Sequence, residues 1–453
     1  MPLAVLIALV ACLLSASSIG LLAREMPAAG SLATYAARGI HPAAGFLVAW
    51  GYILVEILIP PLVLFQLGFT VAGTLNSYWS GYPANLWWPW ALLGAVIVLV
   101  AGYFGVRTSA RMGTILGVFE IAVLLVLGVF FIVHAGGHNS LKVFGDGYTA
   151  SSYKGISGVI AGSIYTVLAF GGFEGSAPLA EESKNPRKTV QKAVLLSTLG
   201  IGIFYVFTSY AVDVAFGPGK FATFTINSSS AASWQGMAKD LYGLFWFFVF
   251  LAVVNSTVAN ANAGVNGASR MSYAMGRIKV LPKALASVNA RHRSPVAAIA
   301  TTFVATCAIV LGLGLGYGPE NAFSMVGTGI VLVLIAVYVL MNVACIGYFA
   351  HAGNRNGARW NVFLHLIVPV LGIVVFVPAW LTAAGITVFS FVAPLTPPVS
   401  YMAPGVGGFM IVGIIYLVFL YLRHPQRVAE VGLVHLDEAP SPSSSPLSSA
   451  EGS

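Results

Sequence analysis

Ala169-Phe170-Gly171-Gly172-Phe173-Glu174-Gly175 lies in the middle of an apolar run at residues 155–180. Paired glycines weaken a helix by roughly 1 kcal/mol each relative to alanine. A carboxylate at that depth of a hydrocarbon layer turns toward a cavity or a partner. A helix broken there exposes carbonyls for cations and N–H groups for anions, which suits a small-molecule site near a bilayer midplane. A glycine packing notch, with the glutamate hydrogen-bonded to a neighbouring helix, is the alternative.

That reading requires a membrane, and the rest of the chain is made for one. Of 453 residues, 58% are hydrophobic and only 8% charged, with a mean hydropathy of +0.87; a soluble domain carries about a quarter charged residues. Runs of ~20 apolar residues, the length that spans a ~30 Å hydrocarbon layer as helix, recur throughout. A β-barrel would need alternating apolar and polar residues, and no such pattern is present. The fold class is therefore an all-α polytopic membrane protein. About eleven spans are predicted, at approximately 2–23, 42–70, 86–104, 112–134, 155–180, 190–216, 241–269, 295–316, 321–350, 361–386 and 402–422. They form one domain, 1–422. The Ser/Pro-rich residues 423–453 are expected to be a disordered tail.

Charge tests the span count. Alternating the spans across the membrane puts Lys142, Lys154, Lys220 and Lys239 on one side and the other 18 of the 22 basic residues on the opposite side. Cytoplasmic loops carry such an excess, so the C-terminus is expected to be cytoplasmic, in a multi-pass protein of the cell membrane. The net charge of +8 is thereby accounted for. Without an aromatic-interleaved basic patch, no nucleic-acid partner is expected. Cys12, Cys307 and Cys345 sit far apart in apolar runs and read as small packing residues. Eight histidines without metal-ligand clustering, and no nucleophile–His–acid grouping, argue against an enzyme, a metal site or a cofactor.

Two further polar stretches stand out. Leu179-Ala180-Glu181-Glu182-Ser183-Lys184-Asn185-Pro186-Arg187-Lys188 marks the end of one helix and the start of the next. Asn255-Ser256-Thr257 is followed by Asn260, Asn262, Asn266 and Arg270. The last three, spaced by four, share one helical face. A cavity wall and plain interhelical hydrogen bonding both fit this stripe.

These residues carry a resemblance. FGGFEGSAPLAEESKNPRKTVQKAV (residues 170–194) resembles the sixth-helix signature of the amino acid–polyamine–organocation permease family. Ala268-Ser269-Arg270-Met271, Met275-Gly276-Arg277, Leu281-Pro282 and Ser294-Pro295-Val296 resemble its eighth-helix exit. Arg24-Glu25-Met26-Pro27-Ala28-Ala29-Gly30-Ser31, with Gly45-Phe46 and Trp50-Gly51, resembles the segment joining its second and third helices, and Tyr338-Val339-Leu340-Met341-Asn342 is similar to its tenth. The resemblance implies two inverted five-helix repeats followed by two extra helices, and secondary active transport of an amino acid or related small amine by alternating access. It aligns the start of this chain with the family's second helix, so the first family helix is expected to be absent. A channel, or an inactive remnant lacking that helix, are the alternatives.

The resemblance also assigns roles. Leu168, Ala169, Phe170, Gly171, Gly172, Phe173 and Glu174 become the substrate-binding segment, with carbonyls around Leu168 and Gly171 receiving an ammonium and Glu174 helping to gate. Leu168 stands where some polyamine and arginine exchangers place a tryptophan, which argues against a polycation. Several members place a lysine at the position of Glu120, where its ammonium stands in for sodium. A glutamate there can exchange a coupling proton or ligate Na⁺, or be neutralised structurally. Glu56, ahead of Pro60-Pro61, and Ser256 complete the coupling-ion candidates for H⁺ or Na⁺; Asn255 and Asn260 are candidates for the polar cavity wall. Asp213, near the end of its span, is expected to reach toward the interface.

Overall fold

The apolar runs fold as helices because the hydrocarbon layer offers no water to their backbone N–H and C=O groups. The computed structural model describes residues 1–26, 31–79, 81–104, 109–149, 155–175, 186–225, 230–277, 279–289, 294–352 and 360–431. Among these every regular element is helical. In chain order they are α1 (Pro2–Glu25), α2 (Ser31–Gly39), α3 (Pro42–Tyr78), α4 (Trp88–Phe104), α5 (Ser109–Ala135), α6 (Ile156–Phe170), α7 (Pro186–Phe216), α8 (Trp234–Tyr242), α9 (Phe245–Arg277), α10 (Val296–Tyr317), α11 (Pro319–Ala352), α12 (Val368–Ala383), α13 (Met402–Arg423) and α14 (Pro425–Val431). One turn of π-helix, Phe363–Ile367, leads into α12.

Ten helices among the described residues are long and apolar enough to cross a membrane, and α4 is a shorter apolar helix of 17 residues. Together they match the eleven predicted spans. The outward faces are apolar too: Ile115, Val118, Val133, Val304 and Leu422 are all exposed, as lipid contact requires. Equivalent helices of the two expected repeats lie on one another, α1 on α7, α3 on α9 and α4 on α10. Repeats of opposite orientation related by an axis in the membrane plane give this arrangement.

Close approach between helices rests on small residues, because lipid supplies no hydrophobic drive for helix association. The clearest case is α9 against α3. α3 runs unbroken through Pro60-Pro61, and a Cβ at Gly264 of α9 would come within 2.8 Å of the Pro60 ring. At Gly267 a Cβ would collide with the Glu56 carboxylate. The glycines therefore decide how near α9 comes to Glu56.

Two expectations change. The start of the tail expected to be disordered is helical: α14 packs on α2, α3 and α13, with Val428 buried and Arg427 donating to the Lys279 carbonyl at 3.2 Å. Its apolar face finds a partner, which composition does not reveal; residues 432–453 lie outside the described residues. Asp213, expected to reach toward the interface, is buried and accepts from the Met1 amino group at 3.2 Å. The stretch 176–185, which holds most of the mixed-charge signature, also lies outside the described residues.

Candidate functional site

The helix ends where the glycine pair stands. α6 stops at Phe170, and the Gly171 N–H bonds only three residues back, to the Leu168 carbonyl at 3.0 Å. Gly172 then adopts a φ of +109°, a conformation open to glycine and strained for any residue with a Cβ. Its N–H leaves the helical ladder and donates to Oε2 of Glu174 at 3.2 Å. The break thus turns the following residues so that Glu174 folds back under its own backbone.

Two tyrosines from distant helices complete the grip on that carboxylate. The Tyr52 hydroxyl of α3 donates to Oε1 at 2.8 Å, and the Tyr338 hydroxyl of α11 donates to Oε2 at 3.0 Å. Glu174 is only 2% exposed, so both oxygens trade water for protein donors. Phe173 packs its ring against Tyr338, centroids 5.1 Å apart. Phe170 meets Tyr205 of α7 edge-on at 5.3 Å. The Tyr205 hydroxyl donates to the Ala169 carbonyl at 2.9 Å, satisfying an acceptor beside the break. Leu168 packs over Gly327 of α11. Ala169, Gly171 and Gly172 remain exposed between these buried neighbours.

A second polar centre joins α5 to α9. The Asn255 amide donates to Glu120 Oε1, and the Ser256 hydroxyl stands near the same carboxylate. A carboxylate, an amide and a hydroxyl thus gather between α5 and α9. Among the described residues no group of three His, Cys, Asp or Glu could hold a metal ion. Asn260 is exposed at the edge of this centre, and its amide donates to the Ser256 carbonyl at 3.0 Å and to the Ser256 hydroxyl at 3.4 Å.

The sequence profile of the amino acid permease family matches residues 1–428. This chain belongs to the amino acid permease family. Among curated relatives, the low-affinity putrescine importer PlaP of Escherichia coli (strain K12) is 25% identical over 386 residues, 84% of this chain and 80% of that protein. The branched-chain amino acid permease BcaP of Bacillus subtilis (strain 168) is 25% identical over 359 residues, 74% of this chain and 72% of its own. A probable GABA permease of Pseudomonas aeruginosa is 27% identical over 340 residues, 72% and 67% respectively. The chain is thus a membrane transporter of the amino acid and amine class, and not an enzyme.

In this permease the residues singled out by sequence divide between the two centres. Leu168 to Glu174 form the first, and Glu120, Asn255 and Ser256 the second. Glu56, one turn along α3 from Tyr52, lies within electrostatic reach of Glu174, with its carboxylate against Gly267 of α9. Sequence reasoning missed Tyr52, Tyr205 and Tyr338 as site residues. A tyrosine in an apolar span usually reads as a packing or interface residue. The available signal was spacing: Tyr52 and Glu56 stand four apart on one helical face, as do Tyr338 and Asn342.

Proposed function

We propose that the permease is a secondary active carrier that moves an amino acid or small amine by alternating access, coupled to a proton or cation. The Glu174 bridge is the single observation that supports this reading. One carboxylate on a broken helix holds tyrosines on α3 and α11 at once, so its release frees three helices together. A substrate ammonium beside the break competes for the same carboxylate and for nearby carbonyls. Binding and opening are then one event, as a carrier needs.

Uptake of radiolabelled amino acids and amines into proteoliposomes tests the reading. Saturable uptake, counterflow and acceleration by an imposed pH or Na⁺ gradient are expected. Flux linear in substrate, without counterflow, would instead indicate a pore.

Coupling is assigned to Glu120 with Asn255 and Ser256. Glu120→Gln keeps the shape and a hydrogen bond with Asn255 but cannot release a proton. It is expected to abolish accumulation driven by a pH gradient while exchange itself continues. Full accumulation by this variant would return Glu120 to a structural role.

The charge distribution supports a cytoplasmic C-terminus. A cysteine placed at Lys142 or Lys220 is expected to react with an impermeant maleimide in sealed cells, and one at Arg277 or Arg423 only after permeabilisation. Reaction of all four in sealed cells would overturn the orientation.

A further inference from the structure

One turn beyond Tyr338 on α11 stands Asn342, fully buried. Its side-chain amide donates to the Ser15 hydroxyl of α1 at 2.7 Å and to the Tyr338 carbonyl at 3.0 Å. Its Oδ1 accepts from the Ser18 hydroxyl at 2.6 Å. Gly372 of α12 lies flat against the amide, where a Cβ would come within 2.9 Å of Nδ2. Both N–H groups are thus used and one lone pair is filled. A saturated amide of this kind offers nothing to a ligand, but it fixes geometry: it ties the backbone of Tyr338 to two serines on another helix.

The helices joined in this way give the tie its meaning. α1 packs most closely on α7 and α6, and α11 on α3; α1 and α11 also meet directly, α11 touches α6, and α12 lies against α1, α6 and α11. Glu174, on the segment that follows α6, grips Tyr52 of α3 and Tyr338 of α11. The Asn342 tie and the Glu174 bridge therefore cross the same boundary between helix groups, one turn apart on α11. Any motion that parts α6 from α3 and α11 strains both. In hydrocarbon the separated serines and amide would lack water to replace their lost partners.

We propose that Asn342 is a positioning residue: held by Ser15 and Ser18, it sets the turn of α11 that places the Tyr338 hydroxyl on Glu174, and so latches the closed state. This rests on the reading of the Glu174 bridge as the gate of a carrier. It adds that the gate has a second, uncharged contact acting through Tyr338.

The test is a double-mutant cycle of Asn342→Ala with Tyr338→Phe on the full chain in detergent micelles. The readout is the alkylation rate of the native Cys12, resolved by peptide mass spectrometry. Cys12 is fully buried on α1 and lies within electrostatic reach of Glu174, so its thiol reports opening of this region without any transport measurement. Asn342→Ala removes both hydrogen bonds to α1 and the one to the Tyr338 carbonyl, and is expected to raise the rate about tenfold or more. Added to Tyr338→Phe, it is expected to raise the rate less than twofold further. Ser18→Ala removes a single donor with little change in volume, and is expected to raise the rate about threefold in a protein that still folds. Equal effects of Asn342→Ala in both backgrounds would overturn the inference, as would faster unfolding without faster Cys12 alkylation from either variant. Flux through the wild-type protein is measured separately: its absence alongside an intact cycle would count against the carrier reading and leave the positioning of Tyr338 standing.

Discussion

Replacing Glu174 by glutamine is expected to cut the initial rate of saturable uptake by about a hundredfold while leaving the protein folded. Both carboxylate oxygens accept hydrogen bonds: Oε1 from Tyr52, and Oε2 from Tyr338 and the Gly172 N–H. A glutamine of the same size has only one acceptor oxygen. Kept at the Oε2 position, that oxygen preserves the bonds from Gly172 and Tyr338, but the new NH₂ group faces the Tyr52 hydroxyl, which must rotate to accept. Bonds to a charged group contribute about 1.5–3 kcal/mol each, neutral ones nearer 1. Loss of charge across three bonds therefore removes roughly 2–3 kcal/mol, or about a hundredfold in rate. The charge that attracts a substrate ammonium goes as well. The measurement is initial-rate uptake in proteoliposomes, with size-exclusion chromatography as the control for folding. Uptake within twofold of wild type would show that Glu174 is a packing residue.

Alanine at Gly172 is expected to be nearly as damaging, and alanine at Gly171 much less so. At Gly172 nothing lies within 4 Å of an added Cβ, so no clash obscures the cause. The penalty comes from φ, +109°, where an L-residue is strained by about 1–3 kcal/mol. Relief of that strain rotates the Gly172 N–H away from Glu174 and resets the break. A loss of tenfold or more in uptake is expected. Gly171 has an ordinary φ of −52°, and its added Cβ would meet the movable tip of Leu334 at 3.0 Å and the Leu168 carbonyl oxygen at 3.2 Å, approaches that a shift of a few tenths of an ångström relieves. Its alanine variant should lose less than threefold. The contrast between neighbours is the test. Equal losses would mean that flexibility of the pair, and not the conformation of Gly172, is what transport uses.

The element pattern was legible in the sequence because it depends on local periodicity and on the solvent. Runs of apolar residues have no stable form in hydrocarbon except helix, so the spans could be counted, and even the short α4 found, without coordinates. The break at Gly171-Gly172 was legible for the same reason: glycine pairs weaken any helix wherever they fall. The helical turn of α14 was not, because seven residues gain their order only from the faces of α2, α3 and α13.

What the sequence determined by itself was therefore where the helices lie, where one of them fails, and which carboxylates are held in apolar surroundings. Only the tertiary structure decided which groups meet those carboxylates. Tyr52 is 122 residues from Glu174, Tyr338 is 164 residues from it, and Asn255 is 135 from Glu120. No periodicity reaches across such separations. The pairing follows from how glycine-lined helices slide together until these carboxylates meet donors, because in hydrocarbon an acceptor left without one costs several kcal/mol.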